Sequence, residues 1–391
     1  MGEWKEKSLI ELADIIPGFA FKSNDFGPIG EIVIKIKDIH PPLIDLSSTE
    51  KVNTSNYDKN KLKKYLLEYG DFVVAMTGAT IGKVGRLKEK KPAFINQRVA
   101  KINAKKGVNN DFIYYSVTSY DFQVFIQNNI DSHSAQENIS GNSIGRFPIL
   151  APPLPEQTAI ASILSSLDDK IDLLHRQNAT LEKMAETLFR QWFVEEAKED
   201  WVRTKIGDVL DTVLGGTPST KKPEYWDGNI PWINSGEVNN FRILQCSRFI
   251  TELGLKKSNT KLLPVGTTVL AITGATLGQV SLLEIDTCAN QSVVGIIPNG
   301  TLPKEFIFLW IKMKISEIIL SETGGAQPHI NKNDINETDI VIPDSDYLNK
   351  IKLTIEPLFK KITHNSFQIR TLTALRDTLL PKLMSGEVRV D

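Results

Sequence analysis

The stretch Thr77–Gly85 reads TGATIGKVG, and Thr273–Ser281 reads TGATLGQVS. A phosphate-binding loop reads G-x-x-x-x-G-K-[ST] behind a strand, so that backbone N–H groups face the phosphates and the Ser or Thr meets magnesium. Here only three residues separate Gly78 from Gly82, and Val84 follows Lys83. In the second copy Gln279 stands where Lys83 stood, an exchange that a phosphate loop has no use for. The glycines therefore predict a tight turn at a strand end, where a residue without Cβ permits close backbone approach. The duplication carries more weight, because an internal repeat decides the whole fold.

Outward from these turns the two halves of the 391-residue chain match nearly throughout. Trp4 answers Trp201, and IVIKIKDI (32–39) answers IPWINSGEV (230–238). The glycine turns lie 196 residues apart, FINQRVAKI and CANQSVVGI 194 apart, and the HSAQENI and GAQPHIN regions 191 apart. The drift is what loop insertions produce. Within each copy FVVAM, TVLAI, SVVGII and DIVIP are short, β-branched runs bounded by Gly, Asn and Pro, the pattern of strands. YDFQVFIQNNI and EFIFLWIKMKISEIIL have helical spacing. Each copy is thus a mixed α+β unit of about 150 residues, a size with a core of its own.

A different kind of segment follows each unit. Pro155 opens a helix at its first turn, where its missing N–H costs nothing, and Glu156 favours the same end. Apolar residues then step by four and three: Ile160, Leu164, Leu167, Ile171, Leu174, Asn178, Leu181, Ala185, Leu188, Trp192. The second copy gives Leu358, Ile362, Asn365, Ile369, Leu372, Arg376, Leu379, Leu383. Both are heptad seams with a polar member, Asn178 or Asn365, of the kind that fixes register at some cost in stability. Such a helix does not bury its seam alone, so the two copies are expected to pack on each other. The spacing leaves their mutual direction open.

Charge is uneven. The chain carries −1 overall, but residues 151–200 hold five basic against ten acidic residues. A surface for a polyanion must then be a local patch, and the acidic helix should face something else. Two cysteines, Cys246 and Cys288, make no disulfide framework and fit a reducing cytoplasm. The opening MGEWKEKSLI lacks an apolar signal core, and charges interrupt the most apolar helix, so neither export nor a membrane span is expected. Motifs for catalysis are missing too. The nearest approach to an adenine-methyltransferase loop is Asn229-Ile230-Pro231-Trp232, which reads better as a strand entry. Asp344 and Asp346 with Lys350 fit a nuclease only loosely and stand where a helix should begin, so Asp344 or Asp346 is expected to be an N-cap. The histidines show no metal-ligand spacing with the cysteines.

PPLPEQTAIASILSSLDDKID, with its helix running to RQWF, resembles the central conserved region of the specificity subunits of type I restriction–modification enzymes. LLPKLMSGEVRV looks like that family's terminal signature, and the repeated glycine turns complete the match. The resemblance covers essentially the whole chain. It implies an α+β architecture: two similar mixed α/β target recognition domains separated by two long helices, packed as an antiparallel intramolecular coiled coil with pseudo-twofold repeat. Residues 1–150 would be the first recognition domain, 151–197 the central helix, 198–343 the second recognition domain and 344–391 the C-terminal helix. It also implies a non-catalytic subunit. Each domain would read one half of a split sequence in double-stranded DNA, and the helices would set the spacer. Two methyltransferase and two restriction–translocase subunits would be the partners, and S-adenosylmethionine, ATP and Mg²⁺ would be used by those partners, not by this chain. The second copy departs from the pattern: DSDYLNK replaces PLPEQTA, and Pro357 and Pro381 fall within the second helix.

Phosphate contacts need Lys and Arg, and base edges need Arg, Gln or Asn in two-pronged geometry. In the first unit Lys83, Arg86 and Lys88 follow the glycine turn, and Gln97 and Arg98 follow in the next strand. In the second, Gln279 and Gln291 are candidate adenine readers, with Arg242, Arg248, Lys256 and Lys257 as phosphate contacts. These positions differ between the copies, which predicts two unlike half-sites. The acids Asp168, Asp169, Asp172, Glu182 and Glu186 are expected to lie away from DNA, partly against a methyltransferase subunit. A stand-alone methyltransferase or nuclease, and a coiled-coil scaffold that reads no DNA, are the competing classes.

Overall fold

The computed structural model describes residues 3–130, 137–239, 241–321 and 329–390. The chain divides into two compact units, Met1–Lys170 with Leu372–Asp391, and Ile171–Thr371. In the first unit, strands β1 (Ala13–Pro17), β2 (Phe72–Ala75), β3 (Val84–Arg86) and β4 (Val99–Ala104) form a sheet in the order β1-β4-β2-β3 with antiparallel neighbours. A further strand joins β3 in parallel, with Arg86 opposite Leu43. Against one face lie α1 (Asn110–Thr118) and α2 (Tyr120–Asn128). Ser119 breaks this helical run by capping Phe122 N–H through its hydroxyl. A second sheet is seeded by the parallel pair of Glu31–Ile34 with Ala93–Ile95. The core gathers Phe72, Val74, Ile102, Phe112, Phe122 and Ile126.

The long helix α3 (Leu154–Arg190) begins in the first unit and ends in the second. In the second unit β5 (Asp211–Leu214), β6 (Thr268–Ala271), β7 (Val280–Leu283) and β8 (Val293–Ile297) repeat the order as β5-β8-β6-β7. Here too a strand joins in parallel, with Arg242 opposite Leu282, and a parallel pair, Trp232 opposite Cys288, seeds the second sheet. One helix, α4 (Lys304–Ser321), replaces α1 and α2. It is apolar nearly all round because it is covered nearly all round: Phe306, Ile307, Phe308, Leu309, Trp310 and Ile311 are all buried.

The second long helix, α5 (Glu356–Ser385), runs through Pro381. It continues from a π-helical turn at Ile351–Ile355 and, before that, a helix at Ser345–Lys350. Pro357 has no N–H to give to the carbonyl four residues back, and the wide turn directly ahead of it absorbs that gap. The helix is thus not shortened by either proline. Asp344 accepts from the Asp346 and Tyr347 amides, both at 3.1 Å, and so is the expected cap.

Within each unit the two long helices are antiparallel. In the first, Asp168 meets Arg376 and Glu156 meets Arg389; in the second, Asn178 meets Asn365 and Phe193 meets Tyr347. The numbers rise on one helix as they fall on the other. Asn365 is fully buried and donates to Asn178 Oδ1 at 2.9 Å, while Asn178 donates to Ser366 Oγ at 3.2 Å. Of the heptad seam, Ile160, Leu164, Ile171, Leu174, Ala185, Ile362 and Leu383 are buried. Leu167, Leu181, Ile369, Leu372 and Leu379 are half-buried along its edges. At its ends the heptad reading needs correction. Leu188 and Leu358 are only half-buried, while Phe189, Phe193 and Phe359 are buried in their place. The step changes from four-and-three to four-and-four beside the π-turns at Gln191–Glu195 and Ile351–Ile355, which rotates the buried face.

Each unit is fastened to a helix start by the same device. Trp4 donates its indole N–H to Glu156 Oε2 at 3.0 Å, and Arg389 pairs with the same carboxylate at 2.5 Å. Trp201 donates to Asp344 Oδ2 at 3.4 Å, and Lys198 pairs with that carboxylate. Hydrogen bonding from Arg389 holds the Glu156 carboxyl below the usual range, and that from Lys198 holds Asp344 down at about 2.

Candidate nucleic-acid interface

The glycine turns spend their amides internally. In the first, Ile81 donates to Gly78 O, Gly82 to Ala75 O and Lys83 to Thr80 O; in the second, Leu277, Gly278 and Gln279 do the same with Gly274, Ala271 and Thr276. These amides thus close the turns themselves. Gly82 has φ 81° and Gly278 φ 84°. A Cβ on Gly278 would stand 2.6 Å from Ile319, so the turn is shaped to fit under a helix. Lys83 and Gln279 are exposed on it. Ile139 and Ile330, at the ends of the HSAQENI and GAQPHIN segments, bond back to Met76 and Ile272 beside the turns. Residues 131–136 and 322–328 of these segments lie outside the described residues.

A second repeated element is the turn Asn96-Gln97-Arg98 and its counterpart Asn290-Gln291-Ser292. In both, the asparagine side chain accepts the amide two residues on, at 3.3 and 3.1 Å, and its carbonyl accepts the amide three residues on. A glycine crosses directly over each turn: a Cβ on Gly18 would lie 2.3 Å from Asn96 O, and one on Gly215 2.1 Å from Asn290 O. These contacts force the glutamine outward, and Gln97, Arg98 and Gln291 are exposed. Gln291 accepts a hydrogen bond from the Thr217 hydroxyl. It lines a cleft of about 570 Å³ that also contains Thr217, Ser219, Lys222, Lys257 and Asn259. The repeat aligns Gln97 with Gln291, but local pattern does not point to Thr217, 74 residues away in the chain.

Two candidates are corrected. Arg86 is buried, pairs with Asp111 at 2.8 Å and lies 3.8 Å from the Tyr114 ring centroid. Arg242 is buried, pairs with Glu284 at 2.9 Å and lies 4.5 Å from the centroids of Phe241 and Phe359. Both guanidinium groups point into the protein instead of out to solvent. Burial pulls the Arg242 guanidinium down to about 10, against the opposing pull of Glu284, so it is charged at neutral pH. Two others are engaged within the chain: Lys88 pairs with Asp169 at 2.7 Å, and Arg248 lies 3.8 Å from the Trp226 centroid. Lys256 and Lys257 are exposed at the end of a short helix.

The acidic helix face is also largely used by its own chain. Asp168 accepts from the Tyr115 hydroxyl at 2.8 Å and from Arg376 at 2.9 Å. Asp169 holds Lys88, Asp172 pairs with Arg176 and Glu186 pairs with Lys312. Glu182 is half-buried, and desolvation pushes its carboxyl up. Expected to lie away from DNA, Asp168, Asp169 and Glu186 are held by intrachain ion pairs with Arg376, Lys88 and Lys312. Among the described residues no group of three or more His, Cys, Asp or Glu is placed to hold a metal, and no helix is long and apolar enough to cross a membrane.

Comparison with known proteins agrees with this plan. Residues 1–183 and 198–372 each match the model of the type I restriction modification DNA specificity domain. The chain is 28% identical over 375 residues to the type I restriction enzyme MjaIX specificity subunit of Methanocaldococcus jannaschii, covering 89% of this chain and 86% of that one. It is 25% identical to the EcoBI specificity subunit of Escherichia coli, over 98% and 86% of the two chains. The crystal structure of the type I restriction–modification system S subunit from M. genitalium superposes with a TM-score of 0.63 at 17% identity, covering 98% of this chain and 96% of that one. Two matched copies of one domain, a repeated strand order and an antiparallel helix pair place this chain in the type I restriction–modification DNA specificity family.

Proposed function

We propose that this chain is the sequence-reading subunit of a type I restriction–modification assembly. The observation that carries the reading is one scaffold built twice with different exposed side chains. The glycine turn presents Lys83 in one unit and Gln279 in the other, and the asparagine–glutamine turn is followed by Arg98 in one and Ser292 in the other. Residues 1–150 and 198–343 are the target recognition domains, and each reads one half of a non-palindromic target in double-stranded DNA. The paired helices set the number of base pairs between the halves and dock methyltransferase subunits, and restriction–translocase subunits complete the complex. The chain itself performs no chemistry; S-adenosylmethionine, ATP and Mg²⁺ serve its partners.

The test is methylation mapping with the methyltransferase partner present. Exchanging residues 202–342 for the equivalent segment of a relative should change one half-site and leave the other untouched. The exchange is clean because its two ends are paired strands, Val202 opposite Ile342. A change in both halves, or methylation independent of this chain, would overturn the reading.

A further inference from the structure

We propose that the cleft beside Gln291 is the base-reading site of the second unit, and that it reads an adenine from the major groove. The inference rests on the proposed function and deepens it by naming residue and base. Reading adenine with two hydrogen bonds requires an acceptor for N6 and a donor for N7, held side by side, which a glutamine amide supplies. A free glutamine must first be ordered. Here the Thr217 hydroxyl already donates to Gln291 Oε1, which fixes the plane of the amide. The oxygen keeps a second lone pair, and Nε2 keeps its donors. The turn below is rigid, because the Asn290 side chain locks it and Gly215 packs over it.

The surroundings suit a polyanion. Lys222 and Lys257 line the cleft, and Lys222 donates to the Tyr225 hydroxyl at 3.2 Å. The lining contains no Asp or Glu. Ser219 and Asn259 add neutral hydrogen-bonding groups at the rim. In the first unit the same turn stands in other company. Phe19 occupies the place of Gly216 and packs against Phe21 at 4.9 Å and Tyr57 at 5.5 Å between ring centroids. Ala20 stands where Thr217 does, so Gln97 lacks the orienting hydroxyl. The two glutamines are thus placed alike and tuned differently.

The experiment selects duplexes from a randomised library with the full chain assembled with its methyltransferase partner. Gln291→Leu should lose roughly tenfold discrimination at one position of one half-site. Thr217→Val should broaden the same position to a smaller degree. Gln291→Glu should move the preference there from adenine towards cytosine, whose amino group a carboxylate accepts. Lys222→Ala with Lys257→Ala should weaken all sequences alike and reduce the salt slope by about two. An assembled Gln291→Leu or Gln291→Glu complex with an unchanged half-site would overturn the proposal. A wild-type complex with no sequence preference would overturn the functional reading beneath it.

Discussion

Arg86 and Arg242 hold the same place in the two sheets from opposite strands. Arg86 sits on β3 opposite Leu43; Arg242 sits on the joining strand opposite Leu282, which is the β7 counterpart of Arg86. One arginine and one leucine have traded positions, and each guanidinium lies over aromatic rings of the helical layer, Tyr114 in one unit and Phe359 in the other. Local sequence marks an arginine on a short polar strand as a surface residue. What buries it is non-local: Asp111 for Arg86, Glu284 and Thr363 for Arg242. Removing one partner of such a pair strands the other charge, which costs about 3–5 kcal/mol. Arg242→Met should therefore lower stability by about that much in denaturant unfolding, and Arg242→Met with Glu284→Leu should recover most of it. Neither change should alter the salt slope of DNA binding, which a phosphate contact would reduce by about one.

At the scale of elements, what is periodic or repeated can be read from sequence. The strands around both glycine turns, the two helices, their polar asparagines and the Asp344 cap all follow from local pattern, and the structure has them. Illegible were the ends of the seam, where the π-turns change the step and put Phe189, Phe193 and Phe359 into the core. Nor could spacing alone orient the helices or show that Asp168 and Asp169 bind the first unit. The cap at Asp344 carries a pH signature. Its carboxyl falls from an ordinary 3.8 to about 2 in the folded chain, chiefly through the hydrogen bond from Lys198. A depressed folded value means the stabilisation is complete above the ordinary value and is lost as pH falls from about 4 to about 2. Asp344→Ala should thus melt a few degrees below the wild type at pH 7, and the gap should close by about pH 2. A gap that persists undiminished in acid would mean the carboxylate charge is not its source.

For the whole molecule, the proposed function makes half-site spacing a matter of helix length. Four residues added to both helices, after Asn178 in one and before Asn365 in the other, lengthen each by roughly 6 Å at 1.5 Å per residue. Duplex DNA advances about 3.4 Å per base pair, so the spacer should grow by one or two base pairs while the half-sites stay the same. Methylation mapping reads this directly, and an active variant with the original spacer would mean the helices do not measure it. The fastening of Arg389 to Glu156 has a consequence in time. The second unit is one unbroken run of chain, but the first is assembled from two, and its closing piece is Leu372–Asp391. Leu383 is 2% exposed in that unit's core, with Leu379, Leu380 and Met384 packed beside it. During synthesis the first unit emerges early and waits for some two hundred residues before this helix arrives to complete the core that holds Ile160 and Leu164. Its exposed stripe is then a target for proteases and for other nascent chains. A chain stopped at residue 371 should be cut by protease between residues 154 and 170, with the second unit remaining protected, whereas the full chain resists at both. Protection of the first unit at residues 154–170 should thus appear only once the last twenty residues, Leu372–Asp391, have been made.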